Sequence, residues 1–308
     1  MVGRLGFPLL APHSSQTIAT HAPPPCTISL SMVRPKLFFD TDVCINAANG
    51  KIPPAEWRRV QKRIGVHYRY CISYVTLKEL FSKLARGSDA YFERNKGPLR
   101  VLYQPPQRRF LPYPSVFALR RVLGIESAGR THDCGLTDEV WGERVLRAAL
   151  DAPSKTRLKD GIKVPNRKLM LSFDLDDFDR HENAPQNKQA ELLQGIREGK
   201  TDPPVARKWA AWILKQHGLT PYTEDCEKLA VALDASYCFT CSLSKMANDK
   251  GYDFKTHASD WGDLLQVFYL CDEAMHFLTM DGDFRNRTKN SLQRSRILIY
   301  REFIKSTV

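Results

Sequence analysis

The chain has 308 residues and 43% hydrophobic content, which suits one large domain or one domain with an insertion and excludes a small disulfide-stapled scaffold. With 46 Lys+Arg against 34 Asp+Glu, it is basic, so its charge favours polyanionic partners, nucleic acid or a membrane surface. No stretch is long and apolar enough to cross a bilayer, which excludes a helical membrane span.

The positive excess is local. Lys51 to Arg130 carries 17 Lys/Arg and 5 Asp/Glu, a surplus equal to the net charge of +12 of the whole chain. Alone, such a segment reads as a solvated charged surface; beside an acidic crevice it reads as a phosphate-binding face. The eight cysteines are scattered, and two of them, Cys44 and Cys71, fall in apolar segments where free Cys behaves as a small hydrophobe. Cys238 and Cys241 have CxxC spacing, but no second pair completes a zinc set. This usage fits a reducing, cytoplasmic setting.

Residues 1–31 are rich in Pro, Ser, Thr and Ala, with no acid before Asp40. They form a poor signal peptide and, with Arg4 as their only charge, a poor transit peptide. A disordered extension is expected, consistent with translation starting upstream of Met32.

Structure is expected from Lys36. Lys36 to Phe39 is a short buried strand ending at Asp40-Thr41-Asp42, and Val43 to Ala48 continues as a helix stopped at Gly50. Pro53 and Pro54 open a basic amphipathic helix, since Pro suits the first helical turn. A second strand is expected over Tyr70 to Val75, followed by a helix from Thr76 to near Gly87. Near the C-terminus, Asp260 and Asp263 open a helix whose Leu264, Val267, Phe268 and Cys271 recur at helical spacing. A strand from His276 to Met280 then delivers Asp281 and Asp283.

Each acid has a local explanation. Thr76-x-x-Glu79 matches a capping box, and Asp260-x-x-Asp263 an Asp cap with a second acid in the first turn. Capping does not, however, require Asp40, Glu79, Asp263 and Asp281 all to fall at strand–helix junctions on one edge of a parallel sheet. At that edge ligands bind, and carboxylates brought together repel unless a cation lies between them.

Three blocks resemble the PIN domain family, the metal-dependent ribonuclease fold of many bacterial toxins. Leu37 to Val43 is similar to its hydrophobic-Asp-Thr-Asn/Asp-Val opening. Ile72 to Leu80 is similar to its second block, in which Glu79 would be the second acid. Asp263 with Leu278 to Phe284 resembles its closing helix and strand, and Arg296 to Tyr300 would be the last strand. The resemblance covers 32–86 and 259–308 and implies a three-layer α/β/α sandwich with a central parallel sheet. It also implies Mg²⁺ or Mn²⁺ in the crevice, held by Asp40, Glu79, Asp263 and Asp281, with Asp283 as an outer ligand. Lys78, Lys83 and Arg285 lie next to these acids in sequence and are candidates for holding substrate phosphate. RNA is the expected substrate; an antitoxin-like or regulatory protein and a second copy of the chain are further partner classes, and no membrane partner is expected.

One departure is large: 184 positions separate Glu79 from Asp263. Residues 87–258 are therefore expected to be a mainly helical insertion, serving as a cap, a specificity element or a dimerisation surface. Helices are expected at Pro114–Leu123, Asp138–Ala149, Gln189–Glu198, Pro204–Gln216 and Thr223–Ala235. The acidic run from Asp174 to Glu182 fails the EF-hand pattern and reads as a solvated loop, as does Thr131-His132-Asp133-Cys134. Two rival functions remain open. A haloacid dehalogenase-type phosphatase shares the Asp-x-Asp look, although Cys44 stands where that family wants Thr or Val. A non-catalytic RNA-binding module would keep the sheet and lose turnover.

Overall fold

The computed structural model describes residues 34–86, 88–105, 107–125, 139–162, 203–250 and 259–306. Five strands, β1 (Lys36–Phe39), β2 (Arg69–Ile72), β3 (Arg109–Phe110), β4 (Met275–Thr279) and β5 (Ile297–Ile299), form one all-parallel sheet. Their order across it is β3-β2-β1-β4-β5. The chain fills one side of β1 with β2 and β3, then returns through β4 to the other side. The order thus reverses between β1 and β4, and a crevice opens at such a switch point beyond the strand C-termini.

The sheet is apolar on both faces, as parallel sheets are when helices cover them. Leu37, Phe38 and Phe39 are fully buried. On one face Phe39 meets Tyr70 of β2, with centroids 4.8 Å apart, and Trp57 of α2 (Pro54–His67) at 5.6 Å. On the other, Phe38 stacks on Phe277 of β4 at 4.8 Å and meets Tyr269 edge-on at 5.3 Å. The Tyr269 hydroxyl donates to Pro112 O at 2.7 Å, tying the segment after β3 to this face.

Several expected boundaries move. The strand expected at His276–Met280 lies one residue earlier, and that expected at Arg296–Tyr300 shortens to Ile297–Ile299. The strand expected to reach Val75 ends at Ile72, because Ser73 accepts from Thr76 N at 2.9 Å and starts α3 (Tyr74–Arg86) early. Thr76 is thereby inside the helix, so the capping-box reading of Glu79 is overturned. α1 (Thr41–Ala48) ends at Gly50, whose φ of +73° favours a residue without Cβ.

β3 lies within the region expected to be a helical insertion, and Leu111 N donates to Ile72 O at 2.9 Å beside it. Around it stand α4 (Asp89–Tyr103) and α5, whose span Pro114–Leu123 is the expected one. The helices expected from Asp138, Pro204 and Thr223 appear as Glu139–Asp151, Pro203–Gln216 and Thr223–Ala232, the last followed by a separate helix, Asp234–Lys250. The helix expected at Gln189–Glu198, the Asp174–Glu182 run, the Thr131–Cys134 segment and the 1–31 extension lie outside the described residues. No described helix is long and apolar enough to cross a membrane.

Candidate functional site

Asp40 is the first residue past β1 and the N-cap of α1. Its Oδ1 accepts from Thr41 N at 2.7 Å, and its own N–H donates to Leu278 O at 2.9 Å, locking it between β1 and β4. Its Oδ2 accepts from the Thr279 hydroxyl at 2.7 Å. The residue is only 6% exposed. Burial, then the charge of Glu79, push its carboxyl from 3.8 up to about 7, against the hydrogen bond from Thr279.

Glu79 reaches the same place from the second turn of α3, where its Oε2 accepts from the Thr41 hydroxyl. Asp263 comes from the helix Ser259–Val267. Its carboxyl is driven from 3.8 up to about 9 by burial, then by the charges of Asp40, Glu79 and Asp260, with Arg287 opposing them. Three acids from sequence-distant segments thus act on one another at the mouth of the β1–β4 switch point.

What brings Glu79 and Asp263 so close is Gly262. A Cβ on that residue would lie 2.3 Å from Glu79 Oε1, so any larger residue would have to push this carboxylate aside. Beneath the acids runs a buried polar knot. Ser73 donates to Gln266 Oε1 at 2.9 Å, Gln266 Nε2 donates to Thr76 Oγ1 at 2.8 Å, and the Thr76 hydroxyl donates to Phe39 O at 2.7 Å. This chain of bonds clamps the end of β1, the start of α3 and the Ser259–Val267 helix together, one residue from Asp40 and three from each of Glu79 and Asp263. Buried polar groups tolerate few alternative arrangements, because a lost partner costs about 1–3 kcal/mol.

Asp260, which the sequence offered as a cap, pairs instead with Arg287 at 2.8 Å. Its Oδ2 is buried and has no hydrogen-bond partner among the described residues. Asp281 and Asp283 are placed differently from the first three acids. Asp281 N donates to Thr279 Oγ1 at 3.0 Å, and Asp281 Oδ1 accepts from Asp283 N at 2.8 Å, so this carboxylate starts the short helix Asp283–Arg287. Neither is among the charges that dominate Asp40 or Asp263. The link from Asp281 to the cluster is Thr279, which bonds both it and Asp40.

Of the expected phosphate ligands, Arg285 is occupied by Ile297 O at 2.7 Å and Glu302 at 2.5 Å. Lys78 is partly buried, and Lys83 is exposed on α3 one turn beyond Glu79. Gly262, Gln266, Arg287 and the hydroxyls of Thr41 and Thr279 were missed in the sequence. The two threonines did carry a signal, each standing within two residues of an acid at a strand end.

Among the described residues, no group of three or more His, Cys, Asp or Glu stands ready-made to hold a metal ion. Instead Thr41 joins Asp40 and Glu79 through its N–H and its hydroxyl, the Thr279 hydroxyl holds Asp40, and Arg287 holds Asp260. The donor set is nonetheless all carboxylate, the hard-oxygen chemistry that Mg²⁺ and Mn²⁺ prefer. Asp263, which accepts no hydrogen bond among the described residues, is its least committed member. No protein-family model matches the chain, and no curated protein or solved structure matches it.

Proposed function

We propose that this chain is a Mg²⁺- or Mn²⁺-dependent ribonuclease built as a PIN-like three-layer α/β/α sandwich. The observation that carries the reading is the convergence of Asp40, Glu79 and Asp263 at the sheet's switch point, where burial and then mutual repulsion raise Asp40 to about 7 and Asp263 to about 9. A purely structural cluster would gain from having its charges neutralised by lysine or arginine. Here the cation that opposes the charge on Asp263 is Arg287, and it is paired with Asp260. Helices on both faces of the sheet and the order β3-β2-β1-β4-β5 support the architecture.

In this reading Asp40, Glu79 and Asp263 hold the cation, with Asp281 at the rim. When bound, the cation supplies an activated water and charge to stabilise the leaving oxygen of a phosphodiester. The protein's part is to keep the acids dry, close and oriented through the Ser73–Gln266–Thr76 knot. Because Asp40 and Asp263 hold protons to unusually high pH, loading a cation displaces protons and strengthens as pH rises. The basic segment Lys51 to Arg130 supplies sequence-independent attraction for the phosphate backbone, which weakens with salt.

The test is cleavage of a mixed-sequence RNA in Mn²⁺, in Mg²⁺ and in EDTA. Cleavage is expected with either metal and absent with EDTA, and Asp40→Asn should lower it by about a hundredfold or more. Wild-type cleavage by Asp40→Asn in Mn²⁺ would falsify the assignment. Phosphomonoester turnover through a trapped aspartyl-phosphate, or RNA binding without cleavage, would replace it with a phosphatase or a binding module.

A further inference from the structure

Beside the acids lies a pocket of about 390 Å³ between α1, α3 and α4, lined by Ile45, Asn49, Lys83, Tyr91, Arg94 and Asn95 among others. No carboxylate lines it. Lys83 and Arg94 both have no ion-pair partner among the described residues, whereas two other cations of α4, Lys96 and Arg100, both pair with Glu93, at 2.5 and 2.9 Å. Two unpartnered cations facing one cavity repel unless an anion joins them. Tyr91 is 57% exposed, its ring available on the pocket side. Asn95 Nδ2 donates to Lys83 O at 3.0 Å and holds α4 against α3 at this point.

Two of the pocket's walls are helices that also carry the acid site. Lys83 follows Glu79 by one helical turn on the same face of α3, and Ile45 and Asn49 follow Thr41 by one and two turns along α1. Thr41 and Glu79 are bonded to each other, so both stripes lead from the site into the pocket, its near edge about 5–6 Å further along.

We infer that this pocket is a subsite for one unpaired nucleotide of an RNA strand whose neighbouring phosphodiester lies at the acids. Lys83 and Arg94 hold its phosphate, Tyr91 stacks on its base, and the Asn49 and Asn95 amides meet the base edge. The inference rests on the ribonuclease reading for its choice of RNA. It narrows that reading to single-stranded substrate, because a paired base cannot present its face to a tyrosine.

The experiment measures binding of an end-labelled short single-stranded RNA by fluorescence anisotropy, in EDTA, to the full chain carrying Asp40→Asn. The same strand as a duplex and a nucleoside monophosphate serve as comparisons. Single-stranded RNA should bind best, and Tyr91→Ala should weaken it by about tenfold, the effect of losing one base–aromatic stack. Lys83→Ala and Arg94→Ala should each reduce the slope of log affinity against log salt by about 0.7. Lys228→Ala, on an exposed pair with Glu224 elsewhere, should leave affinity and slope unchanged. Wild-type affinity and slope in all three pocket variants would overturn the subsite while leaving any metal-dependent cleavage standing. Equal binding of duplex and single strand, or a mononucleotide that binds as tightly as the strand, would overturn it too. Loss of binding in the pocket variants of a chain that cleaves nothing would keep the subsite and remove the nuclease.

Discussion

Two buried aspartates stand at opposite ends of the same sheet. Asp272 precedes β4 at the N-terminal edge and is fully buried. Burial pushes its carboxyl up, but the hydrogen bond from Lys36 at 2.5 Å, the Ala274 N–H and the charge of Arg121 outweigh this and hold it below 3.8. Asp40 follows β1 at the C-terminal edge, is nearly as buried, and is raised to about 7 by burial, to which the charge of Glu79 adds where a cation would offset it. Burial is common to both, so burial does not mark a site. The difference lies in the company: one end carries its own cations, and the other gathers acids with few.

The contrast can be broken by removing one charge from each end. Asp272→Asn leaves Lys36 and Arg121 without their partner and should cost about 2–3 kcal/mol, less than a fully buried pair because both cations reach solvent. Asp40→Asn should cost nothing in EDTA or raise the melting temperature, since it removes a repulsive charge and keeps the shape. Thermal melts of the two variants side by side decide it, and an equal loss of stability in both would sink the comparison.

A smaller effect is expected from Gly262→Ala. Its new methyl would displace the Glu79 carboxylate, which sits at the end of a flexible side chain, so the fold should survive while metal-dependent RNA cleavage falls by about tenfold. Unchanged cleavage in a folded Gly262→Ala chain would show that the position of Glu79 does not matter.

The mildest probe is pH. Folded Asp40 and Asp263 hold their protons up to about 7 and about 9, whereas unfolded ones release them near 3.8. The folded state binds more protons between these values, so in EDTA stability should fall as pH rises from about 4 to about 9. Asp272 acts in the opposite sense: its stabilisation is present above 3.8 and is lost as pH falls through its lower folded value. Urea midpoints at about pH 6 and about pH 9 should therefore decrease in the wild type, and the decrease should shrink in Asp263→Asn. A rising midpoint contradicts the picture.

Much of the frame was legible in the residues. Leu37 to Phe39 could only be a buried strand, Pro54 and Pro114 both begin helices, and Asp40 stands at a strand end as the pattern required. β3 was not legible, because two residues among Pro105, Pro112 and Pro114 show no alternation to read. The start of α3 was misplaced because a serine and a threonine stand three residues apart and either could cap; Ser73 does so while Thr76 is drawn to Phe39 O. Asp281 looked equivalent to Asp263 in the linear pattern, yet it starts a helix and stands at the rim of the cluster.

Periodicity, proline placement and charge set the elements and the identity of the acids, because these depend on neighbours a few positions apart. Which acids meet, and what they meet, was decided only when β4 docked beside β1 and Gly262 let a helix pass Glu79. Electrostatic coupling depends on distance through space, and no spacing along the chain encodes that.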